Sequence, residues 1–563
     1  MFDLNGRYAI TTENAVILCD DEYNEISRIT DDDLFIGDIF ESEGHYYATR
    51  YTYQVEYVEL DFDHGTYSTL FDEKDIGADL GTLCDNYIIN DDGVFLIDPA
   101  TMTIEQMADW GNTNRIPPSK TGGDYICPVD DLHIAECYSY MDGTCDVVLY
   151  TYNSGRDYAD AQKIVIGGYN VNSDLSMRWA IYLFNSAHDG YRIVVDDYSE
   201  EYGASTGAEF ASQTAALIAY FNQGNAPDIY YGDYFDYRSM ADMGMLMNLD
   251  EADADQYIKT DEITDSVLDA MTYGDDLYVV FPSYYFYGYW GLDSVFGGDT
   301  DVSYRDLPGY ANGISIYGNT WNYNIAYDII GRDIDELLRL KREGILRDEV
   351  KEVVEYAVTY GVAADFPLDM IILPDKVSVA QGQYLMASGV VNDIWFFAGE
   401  EIQAGAGFDY IGYPSFFGST HVINARGLTA ISADTGHADM CLECLGYLMS
   451  DRVQYVNMLN GQLPVRETII DNMLQYAVDP GSIPEDGTDY LSWASGREAI
   501  TSETAEDLRR AIDSADSLSA VDWGLYNIIV DEISSYDYQG RSVDSITDSL
   551  TSRLEVYLDE NYS

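Results

Sequence analysis

The chain has 563 residues, enough for two to four domains, and is 47% hydrophobic, which excludes a wholly disordered chain. Its 100 Asp and Glu against 28 Lys and Arg give a net charge of −72, which disfavours nucleic acid and anionic membrane surfaces as partners. Seven cysteines are too few, and odd in number, for a disulfide scaffold, and no run of eighteen apolar residues is present to span a membrane.

Residues 1–160 read as all-β. Tyr- and Val-rich runs alternate with turns of Asp, Gly and Asn. A loose repeat recurs in AVILCDDEYNEISRI (15–29), YVELDFDHGTYSTLF (57–71), VFLIDPATMTIEQM (94–107) and VVLYTYNSGRDYADAQ (147–162). The spacing of roughly forty residues matches propeller blades. GHYYATRYTY (44–53) and DNYIINDDG (85–93) fit inner blade strands. About four units are visible, fewer than most propellers use. The domain therefore reads as a partial β-propeller or as an irregular β domain. Cys137 and Cys145 flank the Met141-Asp142-Gly143 turn; a bridge between them would need an oxidising compartment. The opening MFDLNGRYAI lacks a basic region and an apolar core, so no signal peptide is predicted; the chain is then cytosolic, or its leader lies outside this sequence.

At Lys163 the pattern changes. KIVIGGYN is a buried strand, 174–187 a helix, 191–198 a strand, Ser205 to Asn222 a helix stopped by Gly224, and 227–230 the next strand. This βαβαβ order predicts a parallel, doubly wound sheet. The loop after the third strand carries Tyr231, Asp233, Tyr234 and Asp236 at the strand's carboxyl end, where open α/β sheets bind ligands. Rings and carboxylates together suit sugars. A helix is predicted over 260–272, then an edge hairpin and an aromatic crossover in 274–298. A mixed region runs to about 415, and the final third is helical, with Ser542 capping the last helix. Cys441-x-x-Cys444 lies in an apolar helix and reads as buried structural thiols.

Several of these segments resemble a family. NQGNAPDIYY with MADMGMLMNLD, YGDDLYVVFPSYYFYGYWGLDSVFG, VAQGQYLMASGVVNDIWFFAG, DYIGYPS, the LPVR of NGQLPVRETI, and the closing YQGRSVDSITDSL are similar, in that order, to motifs of the carbohydrate-type (family 1-like) extracellular solute-binding proteins of ABC transporters. The resemblance covers residues 161–563. It implies a two-lobed α/β clamp of the type II periplasmic-binding kind, with crossovers near 274–298 and 415–430. It also implies an oligosaccharide ligand, ABC permease subunits as partners, a monomer, and an extracellular lipoprotein in the full-length form. The β domain of 1–160 is an addition to the common family pattern.

On this reading the first lobe would contribute Tyr169, Asn172, Tyr231, Asp233 and Tyr234. The crossover would contribute Tyr284 and Tyr285, the second lobe Trp395 and Phe396, and the rim Tyr413 and Arg426. No catalysis, cofactor or metal is expected. Acidic pairs are too common to single out a glycosidase dyad. The six histidines never fall at HxxxH spacing, and no GxSxG, P-loop or EF-hand loop occurs. The alternative is a secreted glycan-binding or sensory protein without a transport role.

Overall fold

The computed structural model describes residues 163–563 apart from 200–206, 234, 275, 372, 485–486, 520–521 and 563. It describes residues 2–162 apart from short stretches, of which 73–81 and 152–159 are the longest. Contacts divide the chain into two compact units: Met1–Gln162 with Asn185–Arg192, and Lys163–Phe184 with Ile193–Ser563.

The first unit is built from antiparallel meanders taken in chain order. Phe2–Asp3, Tyr8–Thr12, Ala15–Cys19 and Glu25–Thr30 form one; Ile36–Ser42, His45–Tyr51, Val55–Asp61 and Thr66–Asp72 form the next. Thr82–Cys84, Tyr87–Ile89, Gly93–Asp98 and Thr103–Asp109 form a third, and Gly123–Asp130, His133–Ser139 and Cys145–Thr151 a three-stranded fourth. Strand alternation sends Val16, Leu18, Ile29, Ala48 and Val58 into one core shared by the first two sheets. The first three repeats of the sequence are thus the last two strands of successive sheets. In the fourth repeat, residues 152–159 lie outside the described residues, as does the Met141–Gly143 turn. Cys137 and Cys145 are free thiols, set diagonally because Cys137 faces Val147 and Cys145 faces Ser139.

The second unit holds two sheets. In the first, β1 (Gln162–Gly168), β2 (Tyr191–Asp197) and β3 (Ile229–Tyr231) alternate with α1 (Leu175–Ala187) and α2 (Gly207–Tyr220). The order is β2-β1-β3 followed by Thr429–Ile431. β1 and β3 are parallel, with Gly168 opposite Tyr231; a Cβ on Gly168 would come within 2.2 Å of the Tyr231 carbonyl, so this approach requires glycine. The fourth strand is antiparallel to β3, because it re-enters from the second sheet. The sheet is therefore mixed rather than purely parallel. α2 ends in a wide turn, Phe221–Asn225, with Gly224 at φ 92°.

The helix expected over 260–272 is shorter than predicted: Thr260–Glu262 is a single 3-10 turn, Ile263 is extended (φ −83°, ψ 142°), and the helix runs over Asp265–Met271. The hairpin expected next is a small separate pair, Thr272–Tyr273 with Asp276–Leu277.

The following strand, β4 (Ser283–Leu292), lies inside a seven-stranded sheet, not at an edge. It pairs with β5 (Met386–Val391), β6 (Phe408–Pro414) and β7 (Val422–Arg426). That position explains its aromatic sequence. Tyr284, Phe286 and Trp290 are fully buried, with Phe286 and Trp290 each about 4.9 Å from the Tyr410 ring. Each such ring contributes about 1.5–3 kcal/mol by leaving water.

The helical remainder packs on this sheet. Leu525, Ile529 and Ile533 of α4 (Trp523–Gln539) and Ile546, Leu550, Leu554 and Leu558 of α5 (Val543–Asn561) are fully buried at helical spacing. The Ser542 side chain accepts the Ser545 amide, capping α5. The Leu463-Pro464-Val465-Arg466 run has a structural role. Leu463 and Pro464 pair with β4, and buried Arg466 donates to the carbonyls of Met449 and Ile258 and to the Glu262 carboxylate.

Candidate ligand-binding site

Two antiparallel segments join the sheets of the second unit. One runs through Val280 into β4; the other leaves β7 and enters β8 (Thr429–Ile431). They are hydrogen-bonded on the first-sheet side at Val280 and Thr429, with N–O distances of 3.0 and 2.9 Å, and on the second-sheet side at Ser283 opposite Arg426. The carbonyl of Pro282 between them accepts Gln454 at 3.0 Å and Asn457 at 3.1 Å, and Asn457 accepts the Ser176 hydroxyl at 2.7 Å. The start of α1, the end of β3 and both crossovers therefore meet at one place.

From the first sheet, Asp174 caps α1 through the Met177 amide at 2.9 Å and accepts the buried Tyr231 hydroxyl. Asp233 accepts the backbone amides of Gly427 and Leu428 from the second crossover. Gly232 donates its amide to the Leu428 carbonyl at 2.8 Å, and the Tyr237 hydroxyl bonds both Gly232 and Leu428 carbonyls at 2.9 Å. The Asp233 side chain is open to solvent, yet its carboxyl is pushed up to about 6, chiefly by burial, against the two amides and with a further push from Asp174.

From the crossovers, one face of β4 carries Ser283, Tyr285 and Tyr287, and the facing strand carries Asn424 and Arg426. Tyr285 is half-buried and Tyr287 is 39% exposed. The Arg426 guanidinium stands 5.1 Å over the Tyr285 ring and acts electrostatically on Asp233. Burial raises the Tyr285 hydroxyl, with Arg426 opposing. At the second-sheet end, Arg332 lies 4.2 Å over Tyr413 and Tyr289 donates to Asp328 at 2.9 Å. The donors, acceptors and rings on this face are of the kind that hold uncharged or singly charged polar groups.

The structure brings Tyr231, Asp233, Tyr285 and Arg426 together, but Tyr231 is 3% exposed with its hydroxyl bonded to Asp174, so it underlies this place and does not face a ligand. Asn172 is exposed, two residues before Asp174. Phe396 is 51% exposed on α3 (Ile394–Ala404), while Trp395, one residue earlier, is buried against Trp493 at 5.1 Å. Tyr284 points to the core side of β4, opposite Tyr285. Tyr169 packs on Tyr198 and Phe235, and Tyr413 is covered by Arg332. Tyr234 lies outside the described residues. Asp174, Tyr287 and Asn424 were not singled out from the sequence. Alternation would have found the last two, since 285 and 287 share a face, as do 424 and 426; Asp174 stands where a helix cap is expected.

Two hollows lie away from this place. One of about 400 Å³ is lined by Leu474, Val478, Ala505 and Arg509, but Arg509 is already committed to Glu467, Asp471 and Asp513. The other, about 510 Å³, is lined by Asp299, Asp301, Asp306 and Tyr310. Neither combines rings with both donors and acceptors that are free.

No protein-family model matches the chain, and no curated protein matches it. Among solved structures it is similar to an extracellular solute-binding protein family 1 from Alicyclobacillus acidocaldarius, at 13% identity and a TM-score of 0.39 over 71% of this chain and 99% of that one. It is similar to an ABC substrate-binding protein from Listeria monocytogenes in complex with cycloalternan, at 14% identity and TM-score 0.41 over 71% and 99%. It is also similar to a cyclic alpha-maltosyl-1,6-maltose binding protein from Arthrobacter globiformis, at 17% identity and TM-score 0.40 over 71% and 100%.

Proposed function

We propose that this chain is an extracellular solute-binding protein that captures a saccharide between its two sheets and presents it to an ABC importer. The observation that carries this reading is the set of side chains gathered at the crossovers. There an acceptor (Asp233), a donor (Arg426) and two accessible rings (Tyr285 and Tyr287) converge on a ribbon joining two sheets. Sugar rings stack on aromatic faces, and their hydroxyls need both donors and acceptors. Phe396 and Asn172 form the outer contacts of the clamp. Binding draws the two lobes together, and no bond is broken. The protein acts as a monomeric lipoprotein, with permease subunits as partners. The N-terminal meanders are read as a partial β-propeller, their four sheets following one another in chain order.

The test is a thermal-shift screen of the full chain against neutral and acidic oligosaccharides. A saccharide should raise the melting temperature, and Tyr285→Ala or Asp233→Ala should abolish the rise. If no saccharide shifts melting, or both variants respond like the wild type, the reading fails.

A further inference from the structure

The face shared by β4 and β7 holds an arginine that the protein leaves uncommitted. Arg426 makes no hydrogen bond and no ion pair among the described residues, and its Nε is buried without a partner. Arg509, for comparison, holds three carboxylates. The neighbouring acid, Asp233, is satisfied by the Gly427 and Leu428 amides instead. Asn424 lies next along the same face, directly opposite Tyr285, and its buried Nδ2 also has no partner. Around the Tyr285 ring there are thus a guanidinium and an amide nitrogen that hydrogen-bond to no acceptor among the described residues, the Asp233 carboxylate acting on Arg426 only through space. Unpaired buried donors are costly, so their acceptor is expected from outside.

A sugar hydroxyl offers a single oxygen, with two lone pairs and one hydrogen. A carboxylate offers two acceptor oxygens and no hydrogen, and matches the planar fork of arginine. The remote acidic surface is no obstacle, because charges beyond about 8 Å are screened at physiological salt.

Resting on the carbohydrate reading above, we infer that the ligand is an acidic saccharide, a uronic-acid oligomer. Its carboxylate is held by Arg426 and Asn424 over the Tyr285 ring, while a hydroxyl on the same ligand donates to Asp233.

The experiment is calorimetric titration of the full chain with uronate trisaccharides of several ring stereochemistries and with their carboxyl-reduced, neutral counterparts. The expected result is a preference of about tenfold or more for one acid over its neutral partner, from a charge-assisted bidentate contact. That preference should shrink with added salt and fall below about twofold in Arg426→Gln, with the same direction in Asn424→Ala. Melting curves check that each variant folds. Equal or tighter binding of the neutral partner overturns the inference and leaves the carbohydrate reading standing. Binding of neither series, acid or neutral, overturns both. A preference that survives in both variants overturns the assignment to Arg426 and Asn424.

Discussion

Asp233→Asn should make the protein more stable at neutral pH while weakening its binding. The carboxyl is moved from its ordinary 3.8 to about 6, first by burial and then by Asp174. Between those two values the folded protein holds a proton that the unfolded chain has released. Stability is therefore lost as pH rises through this window, and the loss is complete above it. Two pH units at full burial would correspond to about 3 kcal/mol. The side chain is open to solvent, so screening reduces this to about 1 kcal/mol. Asparagine keeps an oxygen for the Gly427 or Leu428 amide and carries no charge. For a unit of this size, about 1 kcal/mol raises the melting temperature by about 1 °C. Differential scanning calorimetry at pH 7.5 should show that gain, and at pH 4 the two proteins should melt together. Ligand affinity should fall about tenfold or more, because a charged acceptor is lost. An asparagine variant that melts lower at pH 7.5, or a difference independent of pH, would refute the argument.

Arg466→Met leaves the Met449 and Ile258 carbonyls without their donor and strips Glu262 of its partner. Breaking such a buried pair costs about 3–5 kcal/mol, so the melting temperature should drop by about 5 °C, with ligand affinity unchanged once folded. Tyr287→Ala should leave melting near wild type, since that ring is 39% exposed, but lower ligand affinity about fivefold; calorimetric titration checks both. Burial presses the Lys376 ammonium down to about 8, among the Trp290, Phe397 and Phe408 rings. The folded state therefore binds fewer protons than the unfolded chain between pH 8 and 10.5, and this residue's contribution to stability rises with pH across that window. Lys376→Met should remove that rise, as read by urea denaturation at pH 7.5 and 10. Limited proteolysis should cut between residues 151 and 163 before it degrades the second unit, where the compact units part.

The sequence carried the order of elements well where a single period dominated. The helices of the last forty residues announce themselves by apolar spacing and a serine cap, and α5 begins one residue after Ser542. The βα alternation after Lys163 was equally legible, because each strand is a short apolar run closed by glycine or a cap. What could not be read was pairing. β4 looked like a crossover beside an edge hairpin, but its neighbours lie more than 90 residues downstream, and only those neighbours make it central. The same limit applies to the site. Tyr284 and Tyr285 are indistinguishable as letters, and which of them is buried depends on the register set by β7. Asn424 gains interest only when it is seen opposite Tyr285. Trp395 and Phe396 likewise separate by one helical step, the first covered by Trp493, which belongs to a different helix.

The two crossovers form a hydrogen-bonded ribbon two strands wide, tied at Val280–Thr429 on one side and at Ser283–Arg426 on the other. Such a ribbon is compliant to flexing across its flat face and stiff to shearing along its length. On the clamp reading proposed above, closure would bend the ribbon between the ties, at Gly427 (φ 71°), since the Pro282 carbonyl is pinned by Gln454 and Asn457. Tyr285 and Arg426 would then sit close to the pivot, and a ligand group seated on them would be gripped in the open and the closed states alike. One reaching toward Phe396 would be gripped only on closure, so the inner residues would decide what enters and the outer ones how long it stays.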